Sequence, residues 1–218
     1  MKFIALHLGL GDLIITSGLV NFLSKTEKVM IPCWERNYGN VKSFFADNKN
    51  VEIRVISGDN EVEHYASQVD SIRVGQFVHN RTEDKGHLHF SELFYSDAGV
   101  DYKERYDSCP LLEQSKKLTQ FESTNDVFVS NYGSIGLCKL DEKYLSGKKI
   151  EYPKLSVPIL VYADFLYKAK EIHVIESAFR ELVEQLPTTG ELFYHKYARP
   201  GSGSLPLNIR KKWTVLEA

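Results

Sequence analysis

The spacing of apolar and polar positions changes several times along the chain, and each change predicts an element. Residues 2–8 form a short apolar run of strand type. Residues 13–23 then carry Ile14, Leu19, Val20, Phe22 and Leu23 at helical spacing. A second strand is predicted at 28–33, a helix at 37–46 and a third strand at 51–56. Strand and helix alternating in this way are the grammar of a parallel sheet with right-handed crossovers. From Ser57 onward the chain is polar, 70–74 reads as a further strand, and helices are predicted at 90–98 and 111–121.

Polarity rises again at Glu122, Ser123, Thr124 and Asn125, which sets a domain boundary there and divides the chain into residues 1–122 and 123–218. The second half repeats the grammar of the first. Strands are predicted at 127–130, 148–151, 171–175 and 192–195, and helices at 159–169 and 177–186. Pro187 and Gly190 stop the last helix, and 200–204 is a flexible loop. The expected fold is α/β, with two Rossmann-like domains facing each other across a cleft.

Composition narrows the function classes more by exclusion than by suggestion. A net charge of -2, with both signs mixed along the chain, gives no case for nucleic acid or an anionic membrane as partner. The run Arg210, Lys211, Lys212 reads as a solvated stretch rather than a phosphate patch. The apolar start is interrupted by His7, Gly9, Gly11 and Asp12 and lacks a cleavage pattern, so it reads as a buried strand entering a loop. No run approaches the roughly 18 apolar residues of a transmembrane segment. Cys33, Cys109 and Cys138 are odd in number and far apart, which suits free thiols and a cytoplasmic protein. The sequon Asn80-Arg81-Thr82 is read as incidental.

Four stretches could carry chemistry. Gly9-Leu10-Gly11-Asp12 lies between the first strand and helix, where ligands bind at the carboxyl ends of strands in open α/β sheets. Its glycines permit a sharp turn and a close approach. The third glycine of a dinucleotide fingerprint is missing, and Asp12 stands where a pyrophosphate would sit. That charge suits a general base; the alternative is a helix N-cap. Ser177, with Ala178 and Phe179, opens a helix whose free N–H groups suit a phosphate, or else Ser177 simply caps it. Ser130, Asn131, Gly133 and Ser134 supply hydroxyls, an amide and a glycine turn that could form an anion-binding nest. His195, Lys196 and Arg199 bring three donors within five residues, suited to an anion, with an ordinary basic surface as the alternative. His79, His87 and His89 lack metal-site spacing and an accompanying carboxylate pair, so surface or structural roles are preferred and no metal or cofactor is expected. No serine sits in a nucleophile elbow and no P-loop lysine pattern occurs.

The run from Gly9 to Val20 resembles the N-terminal loop and helix of the heptosyltransferase group of GT-B glycosyltransferases, with G-x-G-D, an apolar stretch, threonine and a small residue. The resemblance implies Asp12 as catalytic base, with Gly9 and Gly11 in an acceptor-side loop. The segment 169–179 looks like the strand-to-helix stretch of those enzymes and of fucosyltransferase-like relatives, which implies that Ser177 and nearby backbone amides hold a donor diphosphate. Taken together, these likenesses imply an inverting, metal-independent transferase of hexosyl or heptosyl type. A nucleotide-sugar would be its co-substrate, and a glycan or lipid-linked hydroxyl its acceptor. Two other readings stay open: a binding protein of this lineage without turnover, and a nicotinamide-dependent oxidoreductase using Gly9, Gly11 and Glu35.

Overall fold

The computed structural model describes residues 1–79 and 88–217. The chain divides into two units, Met1–Gln114 and Ser115–Ala218, so the polar stretch at Glu122 lies inside the second. The sequon at 80–82 and His87 lie outside the described residues.

In the first unit, β1 (Lys2–Ala5), β2 (Val29–Cys33), β3 (Val51–Val55) and β4 (Ser71–Arg73) form one parallel sheet in the order β3-β2-β1-β4. Its central strands are apolar on both faces because both faces are covered. Phe3, Ala5 and Met30 join Leu8, Ile56, Val62, Ala66 and Phe77 in one cluster. Ile4 and Ile31, which alternation turns the other way, are also buried. The helices of this stretch are α1 (Leu10–Ile15), α2 (Ser17–Leu23), α3 (Tyr38–Phe44), α4 (Asp59–Ala66), α5 (Phe90–Asp97), α6 (Glu104–Asp107) and α7 (Leu111–Ser115).

The single helix predicted at 13–23 is two helices, and Tyr95 of α5 is the reason. Its buried hydroxyl accepts from Leu19 N–H at 3.1 Å and donates to the Ile15 carbonyl at 2.7 Å. An unbroken helix would join those two groups directly; the inserted hydroxyl breaks the ladder at Thr16. Beyond the break, Gly18 lets α2 lie against α6. A Cβ there would stand 2.2 Å from the Glu104 carbonyl oxygen and 2.9 Å from Arg105 Cα. Helix α4 escapes a reading by pattern because only Val62 and Ala66 of its residues are buried. The helix predicted at 111–121 ends at Ser115, whose carbonyl accepts instead from the Gln120 side-chain amide at 2.6 Å.

The second unit holds β5 (Val127–Ser130), the hairpin of β6 (Tyr132–Gly133) and β7 (Gly136–Leu137), β8 (Ile150–Glu151), β9 (Glu171–Val174), β10 (Glu191–His195) and β11 (Trp213–Leu216). Apart from the hairpin these strands form a parallel sheet in the order β11-β10-β9-β5-β8. Two helices belong to it, α8 (Ala163–Lys168), entered through a 3-10 turn at Ile159–Tyr162, and α9 (Ala178–Gln185). Val127 and Val129 enter a cluster with Cys138, Leu140 and Ile175. Phe128 faces the other way, with its ring 5.0 Å from Phe179 and 6.0 Å from both Tyr162 and Phe165. Strand β11 has no counterpart among the predicted elements. It is an edge strand, half-buried at its ends and exposed between, so it shows no alternation. Among the described residues no helix is long and apolar enough to cross a membrane, and Cys33, Cys109 and Cys138 are free thiols.

Candidate functional sites

In the first sheet the strand order reverses between β1 and β4, and in open α/β sheets ligands bind outside the carboxyl ends of the strands at such a point. The segment leaving β1 there is Leu6-His7-Leu8-Gly9. Leu6 and Leu8 are fully buried, and the alternation of an extended chain turns His7 outward between them. Gly9 precedes the first residue of α1, and Asp12 lies in that helix's first turn with Gly11 before it. Asp12 is therefore not the N-cap. Its Oδ2 meets His7 Nδ1 at 2.7 Å. Gly9 makes room for this pair, since a Cβ there would stand 2.6 Å from Asp12 Oδ2 and 3.1 Å from His7 Nδ1. The hydrogen bond to Asp12 raises the His7 pKa above its ordinary value; burial opposes this, and the charges of Asp12 and Asp59 add to it. Asp59, at the start of α4, has Oδ2 3.6 Å from His7 Nε2. His7 is the residue that a motif-based reading misses. The signal for it in sequence is a polar residue flanked by two buried leucines just past a strand.

In the second sheet the order reverses between β5 and β9, the corresponding switch point. Ser130 ends β5, is buried, and pairs in register with Val174. It shares the face of Phe128, against which Phe179 of α9 is packed. Ser177 immediately precedes α9 in extended conformation, yet its side chain makes no capping hydrogen bond. The Oγ atoms of both Ser130 and Ser177 are buried and have no hydrogen-bond partner among the described residues. Natural proteins rarely leave buried hydroxyls in that condition. Ala178 and Phe179 add first-turn N–H groups, which have no partner within the helix. The Phe179 ring itself belongs to the core.

Around these serines the structure revises several roles. The loop after Ser130 is a tight hairpin rather than an open nest. Asn131 spends its amide on closing it, donating from Nδ2 to the Cys138 carbonyl at 2.9 Å. Gly133 is buried in β6, and the positive φ of the turn belongs to Gly136, at 100°. Arg199 reaches across to this hairpin, donating to Ser134 Oγ at 3.0 Å and to the Glu176 carbonyl. It thereby ties together the loops that follow β5 and β9.

His195, Lys196 and Arg199 do not converge. Lys196 pairs with Glu217 at 3.0 Å. His195 is fully buried on the other face of the sheet, where burial above all, then the neighbouring His173 ring, pushes its pKa down to about 4. It is a neutral ring near pH 7 and cannot serve an anion. Instead it belongs to a buried chain of hydrogen bonds. Glu171 Oε2, paired with Lys148, takes His173 Nε2 at 2.9 Å. His173 Nδ1 meets His195 Nε2 at 2.9 Å, and His195 Nδ1 meets the Tyr197 hydroxyl at 3.1 Å. Because a carboxylate only accepts, the protons are ordered. His173 donates to Glu171, His195 donates to His173, and Tyr197 donates to His195 while accepting from Asp141 N–H at 2.8 Å. Both rings are thus neutral, and burial also lowers the His173 pKa.

The remaining candidates have local roles. His89 caps α5, accepting from Ser91 N–H at 3.2 Å, and the Glu92 side chain completes a capping box. His79 is exposed and lies 3.3 Å from Glu63. Glu35 stands exposed in a 3-10 turn after β2. Lys211 is half-buried rather than solvated and donates to Thr188 Oγ1 at 2.9 Å. Among the described residues, no group of three His, Cys, Asp or Glu side chains is arranged to hold a metal.

Comparison with solved structures identifies the architecture these strand orders describe. The glycosyl transferase family 9 protein from Veillonella parvula DSM 2008 superimposes with a TM-score of 0.52, covering 100% of this chain and 85% of that one, at 11% identity. Its fold resembles that of glycosyl transferase family 9. The iron-containing dodecameric glycosyltransferase TibC from enterotoxigenic E. coli H10407 gives 0.56 at 11% identity. Here the match covers 94% of this chain but only 60% of TibC. Such identities show a shared fold alone. No family model matches the chain, and no curated protein matches it in sequence.

Proposed function

We propose that the protein is a GT-B glycosyltransferase that moves a sugar from a nucleotide-sugar donor to an acceptor hydroxyl without a metal. The observation that carries this reading is the pair of buried, unpartnered hydroxyls, Ser130 and Ser177, at the switch point of a sheet in a chain with a family 9 fold. They and the first-turn N–H groups of α9 bind the donor's diphosphate, with Arg199 fixing the surrounding loops. The Asp12–His7 pair of the other unit takes the proton of the acceptor, a glycan or lipid-linked hydroxyl, as it attacks the anomeric carbon.

The test is thermal unfolding and calorimetric titration with ADP, GDP and UDP, each with and without a chelator. A nucleoside diphosphate at about 100 times its dissociation constant stabilises by about 2.7 kcal/mol, and the chelator leaves this unchanged. Ser177→Ala breaks no bond within the chain, so it leaves stability intact and weakens binding by about 0.5–1.5 kcal/mol. Stabilisation that requires added divalent metal, or binding indifferent to Ser177→Ala, refutes the proposed donor site. Sugar nucleotides that bind but are never consumed would instead support a binding protein.

A further inference from the structure

We propose that His7 Nε2, rather than the Asp12 carboxylate, receives the acceptor's proton, with Asp12 as the positioning residue that holds the ring. The proposal rests on the glycosyl-transfer reading above and deepens it by assigning the base.

The contact at 2.7 Å between His7 Nδ1 and Asp12 Oδ2 needs a proton between the atoms. An ionised carboxylate has none to give, so the proton sits on Nδ1. Gly9 N–H also points at this nitrogen, at 3.3 Å, and competes for it; the much shorter contact with the carboxylate is the stronger of the two and sets the tautomer. The neutral ring therefore keeps its lone pair on Nε2. Among the described residues nothing hydrogen-bonds that atom; its nearest charged neighbour, Asp59 Oδ2, is 3.6 Å away. The His7 side chain is also the more open of the pair, 38% exposed against 20% for Asp12.

Basicity points the same way. A carboxylate already receiving a short N–H bond is a poor acceptor for a second proton near neutrality. The hydrogen bond to Asp12, with the charges of Asp12 and Asp59, raises the imidazole above its ordinary 6.5 against the opposing effect of burial, which makes the ring the more basic partner of the pair. Among the described residues, Asp12 and Asp59 are the charged groups that face the ring, one from α1 and one from α4. Both favour the imidazolium that forms as the proton arrives.

The step balances. The acceptor O–H proton passes to His7 Nε2, and the oxygen's electron pair forms the bond to the anomeric carbon. The bond from that carbon to the donor's phosphate oxygen breaks, and its electrons leave with the nucleoside diphosphate. The ring then releases its proton to solvent. The rest of the dyad follows the logic of a carboxylate-oriented imidazole in hydrolytic triads: the acid fixes the tautomer and never takes the proton itself.

Two measurements on the full chain test this. Nitrogen-15 NMR of the histidines should show His7 as the Nδ1–H tautomer, with a pKa above 6.5 that falls in Asp12→Asn. Turnover should then be followed against pH with whichever of the ADP-, GDP- or UDP-sugars is consumed. The wild type should lose kcat/KM on the acid side with the pKa found by NMR. His7→Gln should lower kcat by about 10²- to 10⁴-fold, remove that limb, and leave nucleoside diphosphate binding unchanged. Asp12→Asn should keep the limb but move it to lower pH. If the wild type turns over and His7→Gln keeps kcat within threefold, or the limb survives in His7→Gln and disappears in Asp12→Asn, Asp12 is the base and the proposal falls alone. An Nε2–H tautomer likewise overturns it. If the wild type consumes no sugar nucleotide at all, the glycosyl-transfer reading fails and takes this one with it.

Discussion

Acid should unfold the second unit from a midpoint well above that of an ordinary carboxylate, because His195 and His173 are buried as neutral rings. The unfolded chain takes up a proton at His195 near pH 6.5, whereas in the folded state this ring waits until about pH 4. Between those values the unfolded chain binds more protons, so stability is fully present above pH 6.5 and is lost as pH falls toward 4. At about 1.4 kcal/mol per pH unit, the window at His195 is worth about 3 kcal/mol. His173 is lowered too and acts in the same direction. Burial pushes Glu171 up, but Lys148 and His173 outweigh it and hold the carboxylate below its usual range, so its contribution is lost further down the acid scale. His7 has the opposite sign: its pKa is raised, and its contribution is present below 6.5 and lost as pH rises through the folded value.

The two tryptophans fall one to each unit, Trp34 in the first and Trp213 in the second, which makes the measurement clean. In Trp34→Phe, fluorescence of Trp213 reports the second unit during urea unfolding. With a urea slope of roughly 1–3 kcal/mol per molar for a small domain, its midpoint should fall by about 1–3 M between pH 7 and pH 4.5. His195→Gln is the control. Its amide can donate to His173 and accept from Tyr197 without titrating, so most of the dependence should vanish. A midpoint flat over this range in the parent, or one that rises on acidification, would refute the buried-neutral assignment.

Two further predictions concern the helices that carry the Asp12 loop. Tyr95→Phe removes the hydroxyl that separates α1 from α2 and leaves Ile15 C=O and Leu19 N–H without it, which should cost about 1–3 kcal/mol in urea titrations. Gly18→Ala would gain about 1 kcal/mol of helix propensity. Its Cβ would stand 2.2 Å from backbone of α6 that cannot give way cheaply, so calorimetry should show a net loss of about 1–3 kcal/mol.

What could be read from the sequence follows from what each element needs. Buried central strands announce themselves as apolar runs, and β1, β2, β5 and β9 all stand where such runs lie. Elements that bury little leave little trace, as α4 and β11 show. The break at Thr16 could not be read locally at all, because the group that makes it is Tyr95, distant in sequence. The same distinction runs through the sites. Gly9, Asp12, Ser130 and Ser177 can be picked out as candidates because glycine, carboxylate and hydroxyl near the ends of predicted strands suit a ligand, although caps and turns use the same residue types. The orientation of a histidine depends on which face of a strand it occupies and what covers that face. His195 looked like a donor beside Lys196 and Arg199 but alternates into the core, whereas His7, set between two leucines, alternates out of it.

That contrast bears on why the fold matches solved glycosyltransferases when identity is only 11%. A parallel sheet with covered faces requires apolar residues at given positions and tolerates almost any choice among them, so the architecture survives wholesale substitution. A strand-end site is less forgiving in kind but smaller in number. In the first unit the proposed site comes to one carboxylate, one imidazole and a glycine whose missing Cβ leaves both side chains room to meet. Three residues contribute almost nothing to overall identity, so such a constellation can be present, altered or re-partnered without changing how similar two chains look. A carboxylate 2.7 Å from an imidazole, and two buried hydroxyls without partners among the described residues, are features of this chain's own site candidates, whereas its likeness to known transferases is a property of the scaffold.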